Sequence, residues 1–230
     1  MKKQEIVDKT IVVPGDLLSG EAARAAEGTY VEDDKVYALI YGLLDSRERI
    51  RVIPLSGKYM PIAGDVVIGL VTDISFSNWK IDISSPYEAL MHISEYPRRI
   101  DSSEMAKIMA VGDLAIFKVI DVDKSMKVEL APKEGQLRVL RSGRIIDIAY
   151  TKVPRVIGRA GSMISLLKSE LDVNIFVGKN GRIWINGKPE DEELTIRAIK
   201  RIEREAHTSG LTDRITKFLE EEKHGVYKKR

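Results

Sequence analysis

The chain has 230 residues, enough for two or three small domains, and it contains no cysteine. Disulfides, thiolate zinc sites and cysteine nucleophiles are therefore excluded together. No run of about 18 apolar residues is present to span a membrane, and the N-terminal MKKQEIVDKT lacks the apolar core of a secretion signal. We therefore expect a cytoplasmic protein that has no membrane partner.

The net charge of +2 hides an uneven distribution along the chain. Residues 133–230 hold 21 Lys and Arg against 14 Asp and Glu, whereas residues 1–132 hold 16 against 21. Residues 133–168 are the most basic, with eight Lys and Arg against only Glu134 and Asp147. Concentrated positive charge is typical of nucleic-acid binding. We expect a nucleic acid at the C-terminal part and a protein partner at the acidic N-terminal part.

Residues 1–58 are predicted to form a β domain. Strand-like runs occur at residues 10–13, 28–31, 36–44 and 50–55, and a helical turn is predicted at residues 22–26. The acidic cluster Glu32-Asp33-Asp34 is interpreted as the tip of a hairpin. It does not predict a metal site, because no further ligand is spaced near it.

Residues 59–132 are predicted to form a five-stranded barrel of the OB type, a fold that holds single strands on one face and its loops. The predicted strands are Val66–Ile74, Trp79–Ile83, Ala89–Ile93, Ala115–Asp121 and Lys127–Ala131, with a short helix within residues 96–110. Candidate RNA contacts are Phe76, Trp79, Lys80, Tyr87, His92, Arg98 and Arg99. Packing against a neighbouring domain is the open alternative for Phe76 and Trp79, and plain surface exposure for the cations.

The segment Lys152–Ile164, KVPRVIGRAGSMI, carries the most informative motif of the chain. Gly158 and Gly161 form a GxxG turn between two apolar helical segments, where missing Cβ atoms allow a nucleic-acid backbone to come close. Amides at the start of the second helix then face the phosphates, as in the loop with which KH domains hold about four nucleotides. We expect Asp at both glycines to weaken RNA binding without unfolding the protein.

The surroundings of this loop predict a KH domain over residues 133–210. The order is a strand at 145–150, a helix, the GxxG loop, a helix from Ser162, strands Val173–Val177 and Ile183–Ile185 around an Asn-Gly turn, and a helix near Pro189. RNA contacts are expected from Arg155, Ile157, Gly158, Arg159, Ala160, Gly161 and Ser162. A basic connector at 132–142 precedes the first of these strands. A C-terminal helix capped by Thr212 and a basic tail at 228–230 occupy residues 211–230.

Five segments together resemble one family. They are VVPGDLL (12–18), LMHISE (90–95), GDLAIFKVIDVDKSMKVELAPK (112–133), KVPRVIGRAGSMI and VGKNGRIWING. In this order they resemble the ribosomal RNA processing protein 4 family, the RNA-binding cap subunits of the archaeal exosome. The resemblance implies a multidomain fold, β-rich plus α+β: an N-terminal β domain, an S1-type OB barrel and a type I KH domain (βααββα).

The same resemblance implies a function and partners. Three copies, alone or mixed with the other cap protein, would sit on a hexameric ring of RNase PH-like subunits, which degrade RNA phosphorolytically from 3′ to 5′. They would bind single-stranded RNA and guide its 3′ end into the ring, with the N-terminal domain contacting the ring. One departure concerns Ala89, Leu90 and Met91, which stand where such barrels commonly carry an aromatic residue before the histidine. We therefore expect this barrel to contribute charge and pore shape in place of base stacking.

Three other functions compete with this one. A hydrolytic nuclease needs clustered carboxylates for metal ions or a histidine pair, and the only histidines are His92, His207 and His224. We therefore expect no catalytic residue, no metal and no cofactor. The alternative function is an S1/KH RNA-binding factor of another RNA-processing, transcription or translation assembly. A purely structural clamp on the ring is a third possibility, against which the basic GRAG loop argues.

Overall fold

The computed structural model describes residues 10–123 and 125–227, in two compact units that separate between Gly57 and Lys58. The tail predicted at 228–230 lies outside the described residues. The first unit contains six strands: β1 (Ile11–Val12), β2 (Leu17–Ser19), β3 (Thr29–Glu32), β4 (Lys35–Ala38), β5 (Gly42–Asp45) and β6 (Arg51–Pro54). They form two antiparallel sheets, in the orders β1-β5-β6 and β2-β4-β3.

A small apolar core lies between these two sheets. It consists of Val12, Leu18, Val36, Ala38, Leu44, Ile50 and Val52. The hairpin tip predicted at the acidic cluster is confirmed, since Asp33 and Asp34 have φ of 47° and 62° between β3 and β4. The prediction of one strand at 36–44 is wrong. The chain leaves one sheet after Ala38 and enters the other at Gly42, because the core needs both sheets to cover it.

The second unit begins with the predicted barrel. Its elements are β7 (Val66–Ile74), β8 (Asn78–Asp82), β9 (Ala89–His92), the short helix α1 (Met105–Ile108), β10 (Leu114–Val122) and β11 (Val128–Pro132). Parallel pairing of β11 with β9 closes the ring of five strands. A sixth strand, β12 (Arg138–Val139), pairs with β10 in the segment predicted as a plain connector. Alternation along the strands turns Val67, Val71 and Phe117 into the barrel core.

The KH fold follows in the predicted order. Its elements are β13 (Arg144–Asp147), α2 (Val153–Ile157), α3 (Ser162–Glu170), β14 (Val173–Val177), β15 (Arg182–Gly187) and α4 (Pro189–Glu205). The antiparallel sheet has the order β13-β15-β14. One face packs on the helices through a core that includes Ile175, Ile183, Leu167 and Ile199. The type I arrangement is thus confirmed.

The last helix, α5 (Leu211–Tyr227), packs on the same core through Ile215 and Leu219. The predicted cap at Thr212 is wrong, because the helix already begins at the buried Leu211. The Arg214 amide donates to the carbonyl of Gly210 at 3.4 Å, the first bond of the helix, so Gly210 and not Thr212 occupies the cap position.

The hairpin turn between β14 and β15 joins the KH domain to the barrel. Asn180 is 4% exposed, and its Nδ2 donates to the carbonyls of Ile68 at 2.8 Å and Ile83 at 3.0 Å. Its Oδ1 accepts from the Ile68 amide at 3.3 Å. On the sheet face away from the helices, Trp184 packs with Ile68 and Ile116. The barrel and the KH domain therefore share a buried polar and apolar interface.

Candidate nucleic-acid interface

The GRAG loop, Gly158-Arg159-Ala160-Gly161, is an exposed corner between α2 and α3. Gly158 has φ +76° and Gly161 has φ +81°, a region that glycine adopts without strain. A Cβ on Gly158 would lie 2.6 Å from the Met163 amide nitrogen, so this position requires glycine for packing as well. A Cβ on Gly161 would meet no atom within 4 Å. Asp at Gly158 would clash with Met163, and Asp at Gly161 would adopt an unfavourable positive φ, so the geometry argues against the expectation that Asp at both glycines leaves the fold intact.

The start of α3 is open to an anion. No side chain caps its first amides, and its first turn contains no acidic residue. Those amides carry the positive end of the helix dipole, where anions are favoured. Arg159, Ala160 and Ser162 are exposed at this corner. The Gly161 amide donates to the Gly158 carbonyl at 3.2 Å and the Ser162 amide donates to the Arg159 carbonyl, so the amides left for an incoming phosphate are those of Arg159 and Ala160.

Two arginines flank the corner. Arg155, on α2, and Arg159, in the loop, are both exposed, and in the described part of the chain neither has a carboxylate within ion-pair distance. Guanidinium groups without such a partner suit bidentate contacts to phosphate. Ile157, the residue before the loop, is half-buried and packs against the KH core. The structure thus brings all seven residues predicted for this loop to one corner.

The barrel face corrects one prediction. Trp79 is 0% exposed, and its Nε1 donates to the carbonyl of Met109 at 3.1 Å. Its indole fills the barrel core, so the prediction that Trp79 stacks on a base is wrong. Tyr87 is half-buried against the same core. Packing within the barrel, and not against a neighbouring domain, occupies the Trp79 ring.

Phe76 and His92 lie at one end of the barrel. Phe76 is 85% exposed in the loop between β7 and β8. That loop is tied to the end of β9, because the Ile93 amide donates to the Ser77 carbonyl at 2.8 Å. His92 is exposed, and its Nδ1 accepts from the Ser94 amide at 3.2 Å. Lys80, half-buried on β8, forms an ion pair with Glu88 at 3.3 Å.

Arg98 and Arg99 are exposed beside a small cleft of about 250 Å³. Its other lining residues are Ile100, Glu104, Lys107 and Ile108. A hydrogen bond with Tyr96 raises the pKa of Arg98 above its ordinary value, so this cation stays charged at any physiological pH. Lys107 was not predicted, although it lies in the charged segment 96–110 and adds a third cation here.

The described residues contain no group of three or more His, Asp or Glu side chains arranged to hold a metal ion. As for membranes, none of the helices described has the length and apolar character needed to cross one.

Family models match three consecutive parts of the chain. The N-terminal domain of the exosome RNA binding protein RRP4 matches residues 9–56, the RRP4 S1 domain matches 58–121, and a KH domain matches 143–191. The chain is 55% identical over 218 residues to the exosome complex component Rrp4 of Methanosarcina acetivorans, covering 94% of this chain and 84% of that protein. Identity to the Rrp4 component of Methanothermus fervidus is 45% over 217 residues, covering 93% and 96%.

A solved structure agrees with these matches. A crystal structure described as an exosome complex RNA-binding protein superposes with a TM-score of 0.68 at 40% identity. The superposition covers 73% of this chain and 98% of that one.

Proposed function

This chain belongs to the Rrp4 family of exosome components, and we propose that it is a non-catalytic cap subunit that binds single-stranded RNA. It guides the 3′ end of the RNA into a ring of phosphorolytic subunits in the cytoplasm. Residues 1–58 dock on the ring, residues 59–132 and 133–210 bind RNA, and helix α5 packs on the KH core. Three copies occupy each ring.

The observation that carries the RNA-binding proposal is the uncapped, exposed GRAG loop. The amides of Arg159 and Ala160 donate to phosphate oxygens, and the dipole of α3 favours the negative charge there. Arg155 and Arg159 add charge-assisted hydrogen bonds from the two sides of the loop. These contacts recognise the backbone and leave the bases to other residues.

The barrel adds contacts of a second kind. Phe76 is the exposed ring on which a base can stack, at roughly 1–3 kcal/mol per base. Arg98, Arg99 and Lys107 bind phosphates at the cleft, where Glu104 is the single acidic lining residue. Trp79 has no part in this proposal because it is buried.

The docking proposal rests on the outer faces of the two sheets in the first unit. Ile11, Leu43 and Ile53 are directly opposite each other across β1, β5 and β6, with Ile11 57% and Ile53 43% exposed. Leu17, Tyr37 and Tyr30 form a second such row across β2, β4 and β3. Apolar rows at a surface favour a protein partner over RNA.

Ala160 offers a sharp test of the GRAG loop. It is exposed and already has φ +49°, a conformation that Asp and Asn tolerate better than Ala. Ala160→Asp therefore adds one negative charge without steric strain, and Ala160→Asn is the neutral control of nearly the same shape. We expect Ala160→Asp to weaken binding of an oligo(A) strand roughly tenfold, by fluorescence anisotropy, through repulsion of phosphate.

The Asn variant should bind within about twofold of the parent, since it introduces no charge. Equal affinities of the Asp and Asn variants would remove the GRAG loop from the proposed RNA path.

A further inference from the structure

We infer that the connector between barrel and KH domain, residues 133–142, is an additional contact for single-stranded RNA, in which Arg138 and Arg141 bind backbone phosphates. The inference rests on the proposed function, because the RNA is the one held at the GRAG loop. It adds a site on the other face of the KH sheet.

The connector is an ordered ribbon. Within it, β12 pairs with β10, and the Leu140 amide donates to the Leu114 carbonyl at 2.7 Å. At its far end Trp184 Nε1 donates to the Ser142 carbonyl at 2.7 Å, and Asn186 Nδ2 donates to Ser142 Oγ at 2.9 Å. Hydrogen bonds to both domains thus fix the connector backbone, so the positions of its side chains are constrained.

Its cations stand over aromatic rings. The Arg138 guanidinium lies 5.1 Å from the centre of the Trp184 ring, and Lys133 Nζ lies 5.8 Å from the centre of Phe176. Phe176 and Trp184 are cross-strand partners on β14 and β15. The two cations are therefore neighbours along the connector face. A guanidinium stacked on a ring keeps its edge of N–H donors free for a phosphate.

Charge on this face is poorly compensated. Arg138 and Arg141 are exposed, and neither forms an ion pair in the portion of the chain described. Glu134 is the only acidic residue within 133–142, and it pairs with Lys133 at 3.4 Å. Two unpaired guanidinium groups on a rigid base form the kind of site that phosphate oxygens occupy.

The surface chemistry favours RNA over a protein as occupant. The exposed large apolar side chains among the described residues lie between Ile11 and Met126, and none belongs to the connector or the KH domain. Protein docking surfaces commonly include an apolar centre, which the first unit has and this face lacks. A polyanion such as RNA can bind to this face through its cations alone.

The sheet order defines a path from the GRAG loop. The KH sheet has two edge strands, β13 and β14, and α3, which begins at the GRAG loop, lies beside β14. RNA that leaves the loop along this side therefore reaches the connector by crossing β14. Lys133, beside Phe176 of β14, is the first cation met there, followed by Arg138. A strand that spans both sites must exceed the about four nucleotides that a KH loop holds.

The test combines two variants with two RNA lengths. The double variant Arg138→Gln, Arg141→Gln and the control Lys217→Gln, an exposed cation on α5, are titrated with oligonucleotides of about five and about twenty nucleotides. We expect the double variant to bind the long RNA about tenfold more weakly, with the log–log salt slope shallower by about 1.4, that is about 0.7 per lost phosphate contact. Its affinity for the short RNA should match that of the control.

Arg141→Gln alone keeps the test valid if loss of the Arg138 stacking disturbs the fold, as thermal melting would reveal. It should show about half the change in slope. An unchanged long-RNA affinity and slope in both variants would overturn the inference, as would a loss of ring binding with unaltered RNA binding.

Ala160→Asp separates this inference from the proposed function, because it should weaken binding of both RNA lengths. If Ala160→Asp has no effect while the connector variants still weaken the long RNA, the GRAG proposal fails and the connector site stands.

Discussion

At the residue scale, exposure decides what an aromatic side chain can do. Phe76 and Trp79 are three positions apart, yet one is 85% exposed and the other 0%. Trp79 falls on an inward position of β8, whose burial alternates along the strand, whereas Phe76 lies in the preceding loop. Of these two rings, only that of Phe76 is accessible to a base.

The two positions predict opposite phenotypes on alanine substitution. Trp79→Ala should lower the free energy of unfolding by about 3–5 kcal/mol, since it leaves a large cavity in the core. Phe76→Ala should change it by less than about 0.5 kcal/mol and weaken RNA binding roughly tenfold through loss of stacking. Urea unfolding and anisotropy measure the two effects. A parental RNA affinity for Phe76→Ala would show that the exposed ring holds no base.

The hydrogen bonds of Asn180 should stabilise the junction between the barrel and the KH domain. Asn180→Ala removes three buried hydrogen bonds, to the carbonyls of Ile68 and Ile83 and from the Ile68 amide, at about 2–4 kcal/mol in the free energy of unfolding. Asn174→Ala, at an exposed position of β14, is the matched control and should change it by less than about 0.5 kcal/mol. Similar urea midpoints for the two variants would contradict a stabilising role of the turn.

At the element scale, an ion cluster joins α4 to α5. Glu205 accepts from Arg201 Nε at 2.8 Å and from Arg214 Nε at 2.7 Å. These two guanidinium groups lower the pKa of Glu205 below its ordinary value. The cluster thus ties the end of one helix to the start of the next.

The direction of this shift predicts a pH dependence. Because the pKa of Glu205 is lower in the folded state, its contribution to stability is present above the unfolded pKa and is lost as pH falls through the folded value. Glu205→Gln should therefore lower the thermal midpoint at neutral pH, and its difference from the parent should shrink towards acid. Glu220→Gln, an exposed carboxylate on α5, is the control and should run parallel to the parent at all pH values. A difference between Glu205→Gln and the parent that stays constant with pH would be inconsistent with this linkage.

At the scale of the whole molecule, the chain consists of two units with separate cores. The second unit includes both proposed RNA-binding domains, joined through Asn180 and Trp184. Deletion of residues 1–57 should therefore leave a protein that unfolds in one transition. We expect its RNA affinity to stay within about twofold of the full chain, while binding to a purified ring of partner subunits is lost. Intact ring binding in size-exclusion chromatography would contradict the docking proposal.

Much of the fold could be predicted because its signals are local. Strands β7 and β14, the Asn-Gly turn and Pro189 at the start of α4 follow from alternation, backbone conformation and helix-end chemistry within a few residues. The GRAG loop was recognisable for the same reason, since its glycines and flanking arginines are consecutive in the chain.

The sequence by itself determined the order of the KH elements and the position of the phosphate-sized corner, because hydrogen bonding and side-chain period act between near neighbours. Only the tertiary structure decided that Trp79 is core, that residues 36–44 divide between two sheets and that Arg138 lies over Trp184. Each of these depends on packing between residues that are distant in the chain. Such packing decides which side chains are shielded from water and which stay exposed.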